Sequence, residues 1–175
     1  DGDYTLGGGN ELQTASIGPI KISGNLTLKN NSELVVAGTI WVAGDIKFSQ
    51  GSTVRLDAGY GEKSGVIVGD SVIAADNGSS FYGSGDSKSY VLVLAAKDAI
   101  QNEAITVGNN SSGVVYYAGK GRIKFKQGAS AKEATAYGIT LEEQTEIQYE
   151  AGLADINFTS GPGGAFAIIN WEEVE

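Results

Sequence analysis

The 175-residue chain contains no cysteine, no histidine and no methionine, and only two prolines. Without cysteine there is no disulfide framework and no thiolate nucleophile, and the redox compartment stays open. Without histidine the commonest general base and the commonest transition-metal ligand are both missing. Ser-His-Asp, Cys-His and zinc-hydrolase mechanisms are therefore excluded within this chain. Because it opens on DGDYTLGGGN with no initiator methionine, it is expected to be an excised domain or a processed product. Any targeting segment then lies upstream. No run is apolar enough to span a membrane, so membrane contact is expected only through such an upstream segment. Basic charge is scarce as well: 12 Lys and Arg against 21 Asp and Glu leave a formal charge of −9. A nucleic-acid surface needs clustered cations, so nucleic acid is not an expected partner.

What the chain does have is 26 glycines and ample aliphatic residues. That combination predicts a packed fold with many tight backbone positions. The octapeptide GDIKFSQG (44–51) recurs as GRIKFKQG (121–128), with glycine and alternating apolar positions retained. A repeated catalytic motif would keep its reactive residues, whereas here the shape is kept. GNLTLKNNSELVV (24–36) aligns with GDIKFSQGSTVRL (44–56) at an offset of 20, each apolar residue on an apolar residue. YGITLEEQTEIQY (137–149) fits the same template, and the polar linkers KNNS, SQGS and EEQT have turn chemistry.

A further strand precedes each unit, anchored at Ile20, Ile40, Val66, Leu92, Val115 and Thr135. Strands of four or five residues recurring every 20 to 26 positions predict an all-β, single-stranded parallel β-helix. About six three-strand coils are expected, right-handed by the general bias of parallel connections. A Greek-key sandwich is the alternative, but it leaves the 20-residue offset unexplained. The whole chain, 1–175, reads as one domain: an N-terminal cap over 1–18, coils over 19–150 and a C-terminal cap over 151–175. Phe158, Phe166, Ile168 and Trp171 are expected to cover the terminal coil and its side wall.

Strict alternation assigns the interior. The first strands contribute Ile20, Ile22, Ile40, Val42, Val66, Val68, Val115 and Tyr117. The second give Leu26, Leu28, Ile46, Phe48, Ile123, Phe125, Ile139 and Leu141. The third give Leu34, Val36, Val54, Leu56, Ile147 and Tyr149.

The chemical groupings are weaker than the architecture. Asp70, Asp76 and Asp86 offer oxygen ligands near glycines, yet no Asp-x-Asp-x-Asp-Gly loop accompanies them. Lys47, Arg55, Arg122, Lys124 and Lys126 read as outward charges that discourage edge pairing rather than as a polysaccharide stripe. Glu142, Glu143, Glu146, Glu150, Glu172, Glu173 and Glu175 lack a pocket signature for paired-carboxylate hydrolysis. Asn25, Asn30, Asn77, Asn109, Asn110 and Asn157 match Asn-x-Ser/Thr, and at solenoid corners asparagine is favoured for its backbone geometry. Trp41, Tyr60, Tyr82 and Tyr116 are expected outward, where sugar stacking is the functional reading. No catalytic, cofactor-binding or metal-binding residue is assigned, and no cofactor is expected.

The ordered pieces GPIKISGNLTL, GTIWVAGDI, SGVIVGD, AITVGNNSSGVVYYAGKGRIKF, YGITLEEQTEIQYEAGLADINFTSGPGGAF and the closing WEEVE carry a resemblance over nearly the whole chain. Their order resembles the β-helical C-terminal domains of PilX-like, type IV pilin-associated surface proteins of candidate-phylum bacteria. The resemblance implies a non-catalytic structural or adhesive domain on a bacterial cell surface, with pilus or cell-envelope subunits as partners. A homo-oligomer or filament and surface glycans are further expected partners. Two other functions stay open at this point. One is a carbohydrate-binding or polysaccharide-lyase β-helix, and the other is a self-assembling filament module.

Overall fold

A computed structural model describes residues 2–112 and 114–148. The described chain is all-β, and every strand pairing in it is parallel. It begins with β1 (Tyr4–Leu6) and β2 (Gln13–Ile17), followed by β3 (Ile20–Ile22), β4 (Leu26–Leu28) and β5 (Ser32–Val36). Next come β6 (Ile40–Val42), β7 (Ile46–Phe48) and β8 (Thr53–Leu56), then β9 (Gly65–Gly69), β10 (Ile73–Ala75) and β11 (Ser80–Tyr82). The last are β12 (Val91–Ala95), β13 (Ala99–Val107), β14 (Val115–Phe125), β15 (Ser130–Ala131), β16 (Glu133–Leu141) and β17 (Glu146–Ile147).

These strands stack in three columns. The first face carries β3, β6, β9, β12 and the starts of β14 and β16. On the second lie β1, β4, β7, β10, the end of β13 and the ends of β14 and β16. The third holds β2, β5, β8 and β11 in one sheet, and β15 with β17 in another. Because β14 and β16 run unbroken through the first two faces, those faces merge into one eleven-stranded, nearly closed, barrel-like sheet.

The 20-residue offset is the pairing register. Ile20 pairs with Ile40, Leu26 with Ile46, Leu28 with Phe48 and Leu34 with Val54. The repeated octapeptide occupies one column, in which Ile46, Ile73, Ile105 and Ile123 follow one another, alongside Phe48, Ala75, Val107 and Phe125. From the third face Phe81 reaches this column. A chain of edge-to-face contacts then runs Phe48–Phe81 (5.0 Å), Phe81–Tyr116 (6.4 Å) and Tyr116–Phe125 (5.7 Å). One apolar cluster extends along the interior, and rings in this arrangement add to the plain burial of area.

Two backbone devices hold the corners. Between the first and second faces, a Cβ at Gly44 would stand 2.6 Å from the Gly24 carbonyl oxygen, so glycine permits the close approach. Between the second and third faces, the turn Ser49–Ser52 closes through a 3.0 Å Ser52 N–H bond to the Ser49 carbonyl, with Gly51 at φ 70°. Asn31, Gly78, Asn110, Gly128 and Gln144 stand at positive φ in the equivalent places. Such a turn needs a left-handed third residue, which is why the corners read NNS, QGS, NGS, NNS, QGA and EQT.

Several interior assignments change. In β9 and β12 the large buried side chains are Ile67, Val91 and Val93, while Val66, Val68, Leu92 and Leu94 are only half-buried. Tyr117 points out at 37% exposure and Tyr116 points in at 1%. Tyr60, carried by the 3-10 turn Ala58–Tyr60 whose Asp57 cap accepts from the Gly59 N–H at 2.8 Å, is also buried. Val115 is buried, yet its neighbours Tyr90 and Leu92 form a cluster apart from the core. These strands are apolar at both parities, so alternation alone does not fix which side faces in. Ile20, Ile139, Leu141 and Ile147, assigned to the interior by alternation, are exposed. Residues 1–18 are not off-period: β1 and β2 pair in register with β4 and β5, so pairing begins before residue 19. Tyr149 and the expected cap residues Phe158, Phe166, Ile168 and Trp171 lie outside the described residues. Spacing along the first face is also wider than expected, since Ile40 pairs with Ile67, 27 positions on.

Candidate functional site

The outward residues of β4, β7, β10, β13, β14 and β16 on the second face form the row Thr27, Lys47, Ala74, Thr106, Lys124 and Thr140. The lysine shared by the two octapeptide copies, Lys47 in one and Lys124 in the other, reaches one strand along, to the first residue of the next corner. Lys47 Nζ stands 3.4 Å from Asp76, and Lys124 Nζ stands 2.9 Å from Glu142. The hydrogen bond and charge of the partner raise the Lys124 pKa and lower that of Glu142. Both groups are thereby held in their charged forms, which is the opposite of what proton transfer near neutrality requires.

Beside the first of these pairs the corner residues enclose an open polar groove. It has a volume of about 580 Å³ and is lined by Lys29, Asn30, Lys47, Ser49, Gln50 and Asp76. Two ammonium groups, one carboxylate, two amides and a hydroxyl make a surface that donates and accepts hydrogen bonds. It has no aromatic platform. The matching corner of the second octapeptide copy has Gly108 and Lys126 where the first has Lys29 and Ser49.

The remaining sequence candidates are dispersed. Asp70 accepts from Trp41 Nε1 at 2.8 Å, Asp76 pairs with Lys47, and Asp86 accepts from the Lys88 N–H at 2.9 Å. Those three aspartates serve different elements and do not converge. Arg55 sits on the third face against Glu33 at 2.6 Å. Arg122 lies beside Gly138 on the next strand, where a Cβ would meet its guanidinium at 2.7 Å. Among the glutamates, Glu142 is paired with Lys124, whereas Glu150, Glu172, Glu173 and Glu175 lie outside the described residues. Among the described residues no three His, Cys, Asp or Glu side chains gather to hold a metal ion.

The asparagines act in the backbone. Asn25 Oδ1 accepts from the Asp45 N–H at 2.8 Å, and Asn77 Oδ1 accepts from the Asn109 N–H at 3.1 Å. Asn30, Asn77 and Asn109 occupy the second position of three of the corners, and Asn110 supplies a positive φ of 56°. Asn157 falls outside the described residues. Of the four aromatic candidates, Trp41 and Tyr82 are exposed while Tyr60 and Tyr116 are buried. Lys21 Nζ lies 4.5 Å over the Trp41 ring, so one side of the indole already carries a cation. Burial pushes the Tyr60 phenol up to about 12 and the Tyr116 phenol higher still. Neither hydroxyl has a hydrogen-bond partner among the described residues.

Sequence reasoning missed the groove, because its lining comes from three successive turns of chain that only the register brings together. The recurring Lys-to-next-corner ion pair was visible in principle, since the lysine belongs to the repeated octapeptide. Searches of family models, curated proteins and solved structures find no match to this chain.

Proposed function

We propose that the chain is a non-catalytic structural or adhesive domain of a bacterial cell-surface protein, pilin-like or pilus-associated. In this reading the three parallel columns are the faces of a right-handed single-stranded β-solenoid of about six coils, roughly 30 Å long at ~4.8 Å per strand. Strands β1 and β2 belong to the winding. The observation that carries the reading is the contrast between inside and outside. Interior positions repeat like on like, from Leu26 through Ile46, Ile73 and Ile105 to Ile123. Outward polar groups on the second face change from one strand to the next, and their charges are spent on ion pairs. Selection for a stable rod leaves that signature, whereas a lyase needs converging acid, base and cation. Pilus or envelope subunits, a second copy and surface glycans are the partners that suit such a rod.

The polar groove favours one second reading, a carbohydrate-binding module. Incubation of the protein with pectin, alginate, chitin and glycosaminoglycans, with and without Ca²⁺, tests both together. The structural reading expects no new chain ends, with glycan retention absent or weak. Retention lost in Lys29→Ala with Lys47→Ala, without turnover, supports the binding module. Depolymerisation abolished by one outward substitution contradicts both.

A further inference from the structure

The third face has an outward pattern of its own. Leu34, Val54 and Phe81 point inward from β5, β8 and β11, so the alternate residues of these strands look out. One outward row runs Thr14–Glu33–Thr53–Ser80, and the next contains Val35–Arg55–Tyr82. Thr53 therefore stands beside Ser80, and Arg55 beside Tyr82 two residues on. These four positions mark a square of about 4.8 by 7 Å on a parallel sheet, close to the footprint of one sugar ring.

The cation in this square is oriented. Arg55 Nε donates to Glu33 Oε1 at 2.6 Å, and Thr14 Oγ1 donates to the other carboxylate oxygen, Oε2, at 3.3 Å. Glu33 is thus held at both oxygens and fixes the plane of the guanidinium. The Arg55 Nη1 and Nη2 groups have no hydrogen-bond partner among the described residues. They offer the end-on pair of N–H groups that grips a carboxylate through two parallel bonds. Tyr82, across from Arg55, is 57% exposed and presents an apolar ring with a hydroxyl at its tip. An exposed ring alone needs no explanation. Set beside a fixed, half-used guanidinium and two hydroxyls, it completes a binding surface.

We propose that the square of Thr53, Arg55, Ser80 and Tyr82 binds an acidic sugar, a uronate residue of a glycan chain. The carboxylate meets the Arg55 Nη pair, the C–H face of the ring lies on Tyr82, and the hydroxyls exchange hydrogen bonds with Thr53 and Ser80. Glu33 is a positioning residue that acts through Arg55. The proposal deepens the adhesive reading and rests on it for the source of the glycan, and none of the four residues lines the polar groove.

The test titrates the full isotope-labelled chain with trigalacturonate and follows backbone amide shifts, with its neutral methyl ester and acetate as parallel probes. Because a net charge of −9 repels an anion at long range, a weak dissociation constant on the order of 1 mM is expected, with shifts centred on residues 53–55 and 80–82. The ester, which keeps the rings and loses the charge, should bind at least about tenfold more weakly, and acetate more weakly still. Arg55→Lys keeps the charge but not the fork, and should weaken binding about tenfold. Tyr82→Ala should do the same, with Tyr82→Leu in its place if the far-ultraviolet β signal is lost. Glu33→Asp keeps the charge but withdraws it from Nε, so it should lower the preference for acid over ester while leaving the ester's own affinity unchanged. A merely structural loss would lower both. Lys29→Ala with Lys47→Ala should have no effect. No saturation by about 10 mM overturns the proposal, while glycan retention elsewhere would leave the adhesive reading standing. Shifts centred on Lys29, Asn30, Ser49 and Gln50 that vanish in the double lysine variant also overturn it, because the ligand then belongs to the groove. So do an ester or acetate that binds as tightly as the acid, and undiminished affinity in Arg55→Lys or in the Tyr82 variant.

Discussion

Truncating Phe125 to alanine probes the interior where the repeated octapeptide places its largest side chain. Phe125 is 0% exposed, stands in register between Val107 and Leu141, and meets the Tyr116 ring at 5.7 Å. Removing a buried phenyl ring costs about 3–5 kcal/mol, the spread reflecting how far the site collapses. Collapse is poor here, because β13 and β16 fix the backbone on both sides of β14 by parallel ladders. The upper half of that range is therefore expected. With a urea m-value of about 3 kcal/mol/M for a chain of this length, the unfolding midpoint should fall by about 1.3–1.7 M. Lys124, one residue earlier on the outer side, is the control. Its ion pair with Glu142 is screened by solvent, so Lys124→Ala should leave the unfolding midpoint almost unchanged. Both variants are read by circular dichroism across a urea series. A Lys124→Ala loss equal to or larger than the Phe125→Ala loss would refute the inward and outward assignment of β14.

Other predictions follow from the same geometry. Tyr116→Phe removes a buried hydroxyl without a partner and should be neutral or stabilising by about 1 kcal/mol in urea unfolding at pH 7. The Tyr60 and Tyr116 phenols are raised in the folded state, so the unfolded chain loses these protons first. Stability is then fully present below about pH 10 and falls as pH rises, for Tyr60 up to its pKa near 12. Tyr116→Phe should make that decline shallower in unfolding measured from pH 9 to 12, and an unchanged slope would count against the burial of this ring. At the corners, Gly78→Asn should be tolerated within about 1 kcal/mol, since Asn31 and Asn110 already occupy the matching positive-φ positions, whereas Gly78→Val should cost more than about 2 kcal/mol by thermal unfolding.

Much of this fold was legible because its early strands alternate cleanly. Leu26, Thr27 and Leu28 against Ile46, Lys47 and Phe48 contain both the 20-residue register and the inward side. Legibility failed where alternation carries no information. Val66, Ile67 and Val68 are all apolar, as are Val115, Tyr116 and Tyr117, so parity had to be guessed and slipped by one. It failed again at Tyr60, which reaches the core from the short turn after Asp57 rather than from a strand. The groove was out of reach for a different reason. Lys29, Ser49 and Asp76 are neighbours only because Leu28, Phe48 and Ala75 stand in one column, and their spacing changes from 20 to 27 residues within it.

The central claim is that one chain winds its strands in successive parallel layers. The absence of cysteine allows spin labels to be placed cleanly at introduced cysteines on the outward row of the second face. In that row Thr5 is followed by Thr27, Lys47, Ala74, Thr106, Lys124 and Thr140. Pulsed electron-spin distances should increase steadily, with backbone separations of about 19 Å for Thr5–Thr106, 24 Å for Thr5–Lys124 and 29 Å for Thr5–Thr140 at ~4.8 Å per layer. Distances that fail to rise in that order, or a Thr5–Thr140 separation as short as that of Thr5–Thr106, would contradict the layered winding.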